Sequence, residues 1–176
     1  MNFWITLTAY ELVWFTAVLG AAHGLAWPGM VAAGTFALAR LATSPAREVE
    51  LRLIAVTWAV ALGLESVWVK GGLIVYSAPW PLPNAPAWLM GIWLALALTL
   101  VPLFGYLHRR PRLAAVLGAV GGPLAYLGAA RAHALILPAP AWRALVALAL
   151  GWAVAFPLLT SLAGRWLRPQ AAQALT

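Results

Sequence analysis

Apolar residues dominate the chain in six long runs, separated by short breaks that contain glycine, proline or charged residues. A transmembrane helix needs about 17–25 predominantly apolar residues, and most of the runs reach that length. Glycine, proline and charge are the usual signals that end such segments. The pattern predicts an all-α integral membrane protein, with residues 1–176 forming a single bundle of about six transmembrane helices. The runs are Phe3–Ala21, Pro28–Leu41, Leu53–Tyr76, Ala87–Leu107, Leu113–Leu137 and Ala141–Gly164.

The second run is the shortest and leaves two interpretations open. At about 14 residues and 1.5 Å per residue it spans roughly 21 Å, which is less than the ~30 Å of a hydrocarbon core. Either it extends back through Leu25 and Trp27, or it is re-entrant. If residues 28–41 do not cross the membrane, the helix count falls to five and the N-terminus lies outside.

Composition supports a membrane protein and excludes several other classes. The chain is 64% hydrophobic and 9% charged, against about 45–50% and about 25% in soluble domains. The net charge of +7 does not indicate a nucleic-acid partner, because most arginines flank apolar runs. There are no cysteines, so disulfides and cysteine-ligated metals are excluded. The first run lacks a basic n-region and contains Glu11, which favours a retained helix over a signal peptide.

The positions of the arginines predict the orientation of the bundle. Arginine is concentrated in the second and fourth breaks and after the last run, whereas the breaks at 24–28 and 77–86 contain neither lysine nor arginine. Because cytoplasmic loops are enriched in basic residues, both termini are predicted to be cytoplasmic, in a multi-pass protein of the bacterial inner membrane. Arg143, just after the third outer turn, is the exception.

Two glutamates in apolar runs are the main candidates for function. Glu11 precedes Trp14 by three residues, and Glu65 lies seven residues after Trp58 and three before Trp68. A carboxylate at bilayer depth costs about 2.5 kcal/mol or more, so it is a functional-site hypothesis by default. We therefore expect Glu65 and Glu11 to act as acid/base groups or as charge anchors.

Four basic side chains are the candidate partners of these glutamates. They are predicted to lie in the middle and outer half of the bundle, whereas the inner half lacks acidic and basic groups. With Trp14, Trp58 and Trp68 they predict an outward-facing, tryptophan-lined polar pocket for a lipid-like or amphipathic molecule. No HExxH or paired-histidine spacing indicates a metal, and no cofactor can be named. The four are His23, Lys70, Arg131 and His133.

Two other functions remain open, as does the question of whether the protein is an enzyme. In one, the buried charges only fix helix packing, for example through a Glu65–Arg131 pair, in a structural or accessory subunit. In the other, Glu11 and Glu65 carry protons in a coupled transporter, although an apolar inner half argues against that path. Gly118 and Gly122 have the GxxxG spacing. This spacing predicts close approach by another helix, within the chain, in a second copy or in a membrane partner.

Two stretches carry a family resemblance. Trp14–Gly29 (WFTAVLGAAHGLAWPG) and Gly118–Leu135 (GAVGGPLAYLGAARAHAL) resemble the small bacterial inner-membrane proteins called domain of unknown function 2878. The resemblance covers nearly the whole chain and includes an acidic residue followed by serine, here Glu65-Ser66. It implies a shared role for Glu65 more than for Glu11, where the family often has an amide. It also implies a connection with lipid metabolism.

Overall fold

Six α-helices form the computed structural model, which describes residues 2–173. Four of these helices, over Phe3–Ala22, Arg47–Lys70, Pro111–Arg131 and Trp142–Leu167, are long and apolar enough to cross a membrane. The predicted all-helical membrane fold is therefore confirmed at this level. The helices are α1 (Phe3–Ala22), α2 (Trp27–Thr43), α3 (Arg47–Lys70), α4 (Ala87–Thr99), α5 (Pro111–Arg131) and α6 (Trp142–Gln173), with a 3₁₀ turn at Gly105–Leu107.

The helix α2 is longer than the run that predicted it. It begins at Trp27, has Pro28 in its first turn and continues for 17 residues to Thr43, or about 25 Å at helical rise. Proline fits the first turn because its missing N–H has no intrahelical acceptor there. The backward extension therefore reaches Trp27, whereas Leu25 stays in the preceding turn.

The helix α3 lies six residues earlier in the chain than predicted. It starts at Arg47 rather than Leu53, and it ends at Lys70 rather than Tyr76. Gly72 adopts a φ of +66°, a left-handed conformation that glycine tolerates and that commonly ends a helix. Glu65 is consequently not central in its helix. It lies five residues before the end of α3, about 7.5 Å along the axis.

The start of α3 is stabilised by a buried ion pair that the sequence did not predict. Arg40 on α2 donates to Oε1 of Glu50 on α3 through Nε, at 2.9 Å, and through a second guanidinium nitrogen. Both side chains are buried, and Oε2 of Glu50 has no hydrogen-bond partner among the described residues. The expectation that the arginine-rich half of the bundle contains no buried acidic or basic group is therefore wrong.

The helices α4 and α5 are both shorter than predicted. The helix α4 ends at Thr99 after 13 residues, and Pro102 lies in the turn that follows, not inside the helix. Proline lacks the N–H that a helix needs and disfavours helical geometry in the residue before it. The helix α5 ends at Arg131, so His133, with a φ of +65°, lies in the loop beyond it.

Two short antiparallel strand pairs form a cap over the end of the bundle opposite the arginine-rich breaks. Strand β1 (Val75–Tyr76) pairs with β4 (Leu135–Ile136), and β2 (Pro81–Leu82) pairs with β3 (Ala85–Pro86). Alternation along β1 leaves Val75 exposed and directs Tyr76 into the core. The cap thus ties the loop after α3 to the loop after α5.

The helices α1, α2 and α3 pack around α4, the most buried of the six. One side of the bundle holds α1 and α2 against α4, and α3 packs on α4 and also on α6. The helix α5 packs along α6, where Gly118 and Gly122 lie against Trp152 and Phe156. The predicted close approach at this glycine pair therefore occurs within the chain.

Candidate functional site

Glu65 is fully buried, and the side chains that the structure describes bond to it only through neutral donors. Tyr126 donates its hydroxyl hydrogen to Oε1 and Tyr76 donates to Oε2. The indole Nε1 of Trp93 donates to Oε1 at 3.0 Å. A buried carboxylate is tolerated only when hydrogen bonds replace its hydration. The three donors supply these bonds without a basic side chain.

The three donors come from three separate segments of the chain. Trp93 lies on α4, Tyr126 on α5, and Tyr76 on strand β1 of the cap. Burial, followed by the neighbouring Tyr126 and Glu65, raises the pKa of Tyr76 well above the ordinary value for tyrosine. The Tyr76 phenol therefore keeps its proton and acts as a donor. The carboxylate of Glu65 thus holds α3, α4, α5 and the cap together.

Aromatic rings pack around this cluster. Trp93 stacks on Trp152 with ring centroids 4.7 Å apart and an interplanar angle of 5°. Trp68 meets Tyr126 edge to face at 5.7 Å. Aromatic pairs in these geometries stabilise by about 0.5–1.5 kcal/mol beyond their buried area. Both rings that donate to Oε1 of Glu65 are therefore held by a second aromatic side chain.

A cavity of about 340 Å³ lies beside the cluster, between α1, α4, α5 and α6. Trp93 and Tyr126 form part of its wall, so two of the donors to Glu65 also line the cavity. No charged residue in the described part of the chain lines it. Nε1 of Trp152, another lining residue, is buried and has no hydrogen-bond partner among residues 2–167. The remaining aromatic lining residues are Tyr10, Trp14, Trp88, Phe104, Tyr106 and Phe156.

The cavity opens sideways, between α1 and α5. Leu117, Gly121 and Ala125 recur at four-residue spacing on α5, are exposed, and still line the cavity. Tyr10 and Trp14 of α1 form the opposite side. The mouth therefore faces the direction in which lipid would surround the helices.

The structure brings together only some of the predicted site residues. Glu65 and Trp68 are buried in the cluster, and Trp14 lines the cavity. Trp58 is exposed on α3 and donates its Nε1 hydrogen to the carbonyl oxygen of Met90 at 3.1 Å. Glu11 is exposed on α1, so the two glutamates do not form one buried site.

The four basic candidates are exposed at the capped end of the bundle. Lys70 and Arg131 are the last residues of α3 and α5, and His133 follows in the loop. His23 lies beyond α1, with its Nδ1 2.8 Å from the carbonyl oxygen of Leu19. The suggested Glu65–Arg131 pair does not form: Arg131 is exposed, whereas Glu65 is fully buried and accepts its hydrogen bond at Oε1 from Tyr126, more than one turn before Arg131.

Sequence reasoning did not select Tyr76, Trp93 and Tyr126. A signal was present, because a tyrosine or tryptophan inside an apolar run needs a partner for its O–H or N–H when buried. Their separations from Glu65 are 11, 28 and 61 residues, so helical spacing alone could not identify the carboxylate as that partner.

Comparison with known proteins places these residues within one family model. A model described as "Protein of unknown function (DUF2878)" matches residues 3–158. This range includes Glu65, its three donors and every residue that lines the cavity. No curated protein and no solved structure matches the chain. The described residues contain no group of three or more histidine, aspartate or glutamate side chains able to hold a metal ion.

Proposed function

We propose that this chain, which belongs to the family described as "Protein of unknown function (DUF2878)", binds an amphipathic, lipid-like molecule inside the membrane. The match confirms the resemblance inferred from Trp14–Gly29 and Gly118–Leu135. The observation that carries the proposal is the aromatic cavity with its lateral mouth. Its volume of about 340 Å³ lies within the usual range for ligand sites, which are mostly apolar with a few polar groups.

The lining of the cavity suits an apolar chain. Apolar and aromatic side chains offer an acyl or similar chain the same hydrophobic surroundings as the bilayer, together with close packing. A lateral mouth allows such a molecule to enter from the bilayer without crossing water.

Glu65 serves this site as a positioning residue. Its carboxylate is behind the cavity wall and binds Trp93 and Tyr126, whose rings face the ligand space. Fixed rings keep the cavity open in one shape, which lowers the entropy cost of binding.

We place all six helices across the bacterial inner membrane, with both termini in the cytoplasm. Most of the arginines lie at one end of the bundle, as the positive-inside rule requires of the cytoplasmic side, and Arg131 and Arg143 are the exceptions at the capped end. Trp80 and Trp142 are exposed at the capped end, where tryptophans accumulate at a membrane–water interface. The helix α4 has only 13 residues, but α1, α2 and α3 surround it, so it need not match the lipid thickness by itself.

A structural role is the second candidate. Three donors satisfy Glu65, and a fully satisfied buried network also specifies a unique packing. In an accessory membrane subunit, only this hydrogen-bond network would be required, and the cavity would stay without a ligand.

Proton-coupled transport has less support. On the buried face of α3, the apolar residues Leu53 and Ala61 interrupt the polar positions between Glu50 and Glu65.

A cavity-filling substitution tests the proposal. Gly121 lines the cavity, and nothing lies within 4 Å of a Cβ added there, so Gly121→Leu occupies ligand space without forcing the helices apart. Gly63→Leu is the matched control, because Gly63 is exposed on α3 with the same free space but outside the cavity. Native mass spectrometry of the purified proteins should show a bound amphiphile with wild type and Gly63→Leu, and about tenfold less with Gly121→Leu (about 1.4 kcal/mol). Equal occupancy in all three proteins would contradict the proposal.

A further inference from the structure

Glu11 is a carboxylate that the described part of the protein leaves exposed near the middle of α1. The helix spans Phe3–Ala22, and the structure records no hydrogen bond or ion pair to Glu11 from any residue between 2 and 167. An acidic side chain in hydrocarbon costs about 2.5–3.5 kcal/mol when nothing satisfies it. A hydrogen-bond donor supplied by another molecule would lower this cost.

The position of Glu11 around α1 indicates where such a donor would bind. At about 100° per residue, Glu11 points about 60° from Trp14 and about 100° from Tyr10, the two residues of α1 that line the open side of the cavity. Val13 and Ala17, which are buried, lie on the other side of Tyr10, against α2 and α4. Glu11 therefore lies on the edge of α1 that borders the mouth of the cavity.

We infer that Glu11 is a specificity-determining residue that selects ligands with a hydrogen-bond donor, an amine or a hydroxyl, and rejects anionic ones. The inference rests on the proposed ligand-binding function. The charges around the cavity support it. None of the described lining residues is basic, so a phosphate or carboxylate entering the mouth would be repelled by Glu11 without being attracted by a lysine or arginine of the lining. A donor group satisfies the Glu11 carboxylate, and an amine adds a charge-assisted bond, about twice as strong as a neutral one.

Three probes with the same chain and different head groups test this inference. The protein is placed in nanodiscs of zwitterionic lipid and titrated with 12-bromododecyl amine, alcohol and carboxylate. Bromine quenches the fluorescence of nearby tryptophans, of which Trp14, Trp88, Trp93 and Trp152 line the cavity. The wild type should bind the amine and the alcohol at least about tenfold more tightly than the carboxylate (about 1.4 kcal/mol).

The variants separate the inference from the function on which it rests. Glu11→Gln should reduce the preference for the amine over the carboxylate by about tenfold, whereas Glu48→Gln, which removes an exposed carboxylate at the start of α3, should keep it. An unchanged preference in Glu11→Gln overturns the inference, as does tighter binding of the carboxylate by the wild type. If Gly121→Leu binds all three probes as the wild type does, the proposed function itself fails. If Gly121→Leu weakens all three while Glu11→Gln changes nothing, only the role of Glu11 is lost.

Discussion

At the residue scale, the buried carboxylate of Glu65 shows that neutral donors can replace a basic partner. Two phenols and one indole satisfy it, and each also packs against another aromatic ring. Buried arginine would carry its own desolvation penalty of several kcal/mol, whereas tyrosine and tryptophan are apolar apart from one O–H or N–H. The arrangement therefore suits an apolar interior.

Removing one donor should lower stability measurably. In Tyr126→Phe, Oε1 of Glu65 keeps only the bond from Trp93, and leaving a buried carboxylate less satisfied costs about 1–3 kcal/mol. Tyr106→Phe is the control, since the exposed Tyr106 loses a hydroxyl that no buried acceptor needs. Unfolding by SDS titration in mixed micelles measures both free energies. Equal values would mean that the Tyr126 hydroxyl does not stabilise the carboxylate.

At the element scale, the tightest packing in the bundle is between α5 and α6. A Cβ added to Gly118 would lie 2.9 Å from Cβ of Phe156, and it would also meet the carbonyl oxygen of Trp152. Backbone cannot move aside as the end of a flexible side chain can. Small residues at such an interface are what allow two membrane helices to approach.

Gly118→Val should therefore separate the two helices and destabilise the protein by about 1–3 kcal/mol or more. Gly121→Val, three residues further along α5, adds the same β-branched side chain where the space is open, so the effect of valine on the helix itself is matched. The difference between the two free energies of unfolding isolates the packing effect. If both variants lose the same stability, the interface does not depend on the small residue.

The apolar runs predicted the number of helices well and their limits less well. The run that predicted α3 excluded Glu48, Glu50 and Arg52 as loop charges, although Glu50 is buried against Arg40. Such a pair cannot be predicted until the positions of the two helices relative to each other are known. Most of the site could not be predicted for the same reason, because Tyr126 and Glu65 are 61 residues apart in the chain. Of the described site, only Glu65, Trp68 and Trp14 were selected from the sequence, each by its position or spacing within its own helix.

At the scale of the whole molecule, the proposed orientation predicts which end of the bundle a reagent outside the cell can reach. The chain has no cysteine, so single cysteines can be introduced without altering a native one. A membrane-impermeant maleimide applied to intact spheroplasts should label Gly24→Cys and Ala139→Cys at the capped end. It should label Arg47→Cys and Arg109→Cys only after the membrane is opened. The reverse pattern would invert the proposed orientation, and labelling of Gly24→Cys only after opening would indicate that α1 and α2 do not both cross.

Under the proposed function, the lateral mouth between α1 and α5 determines what kind of affinity the protein needs. A molecule that enters from the bilayer is already concentrated there, so its binding depends on its mole fraction among the lipids instead of its concentration in water. Bulk lipid competes for the same cavity at every moment, and specificity is a difference of affinities. A preference of about 1.4 kcal/mol over the surrounding lipid changes occupancy tenfold. An amphiphile that is insoluble in water can therefore fill the cavity through a contact that would look weak in an aqueous assay.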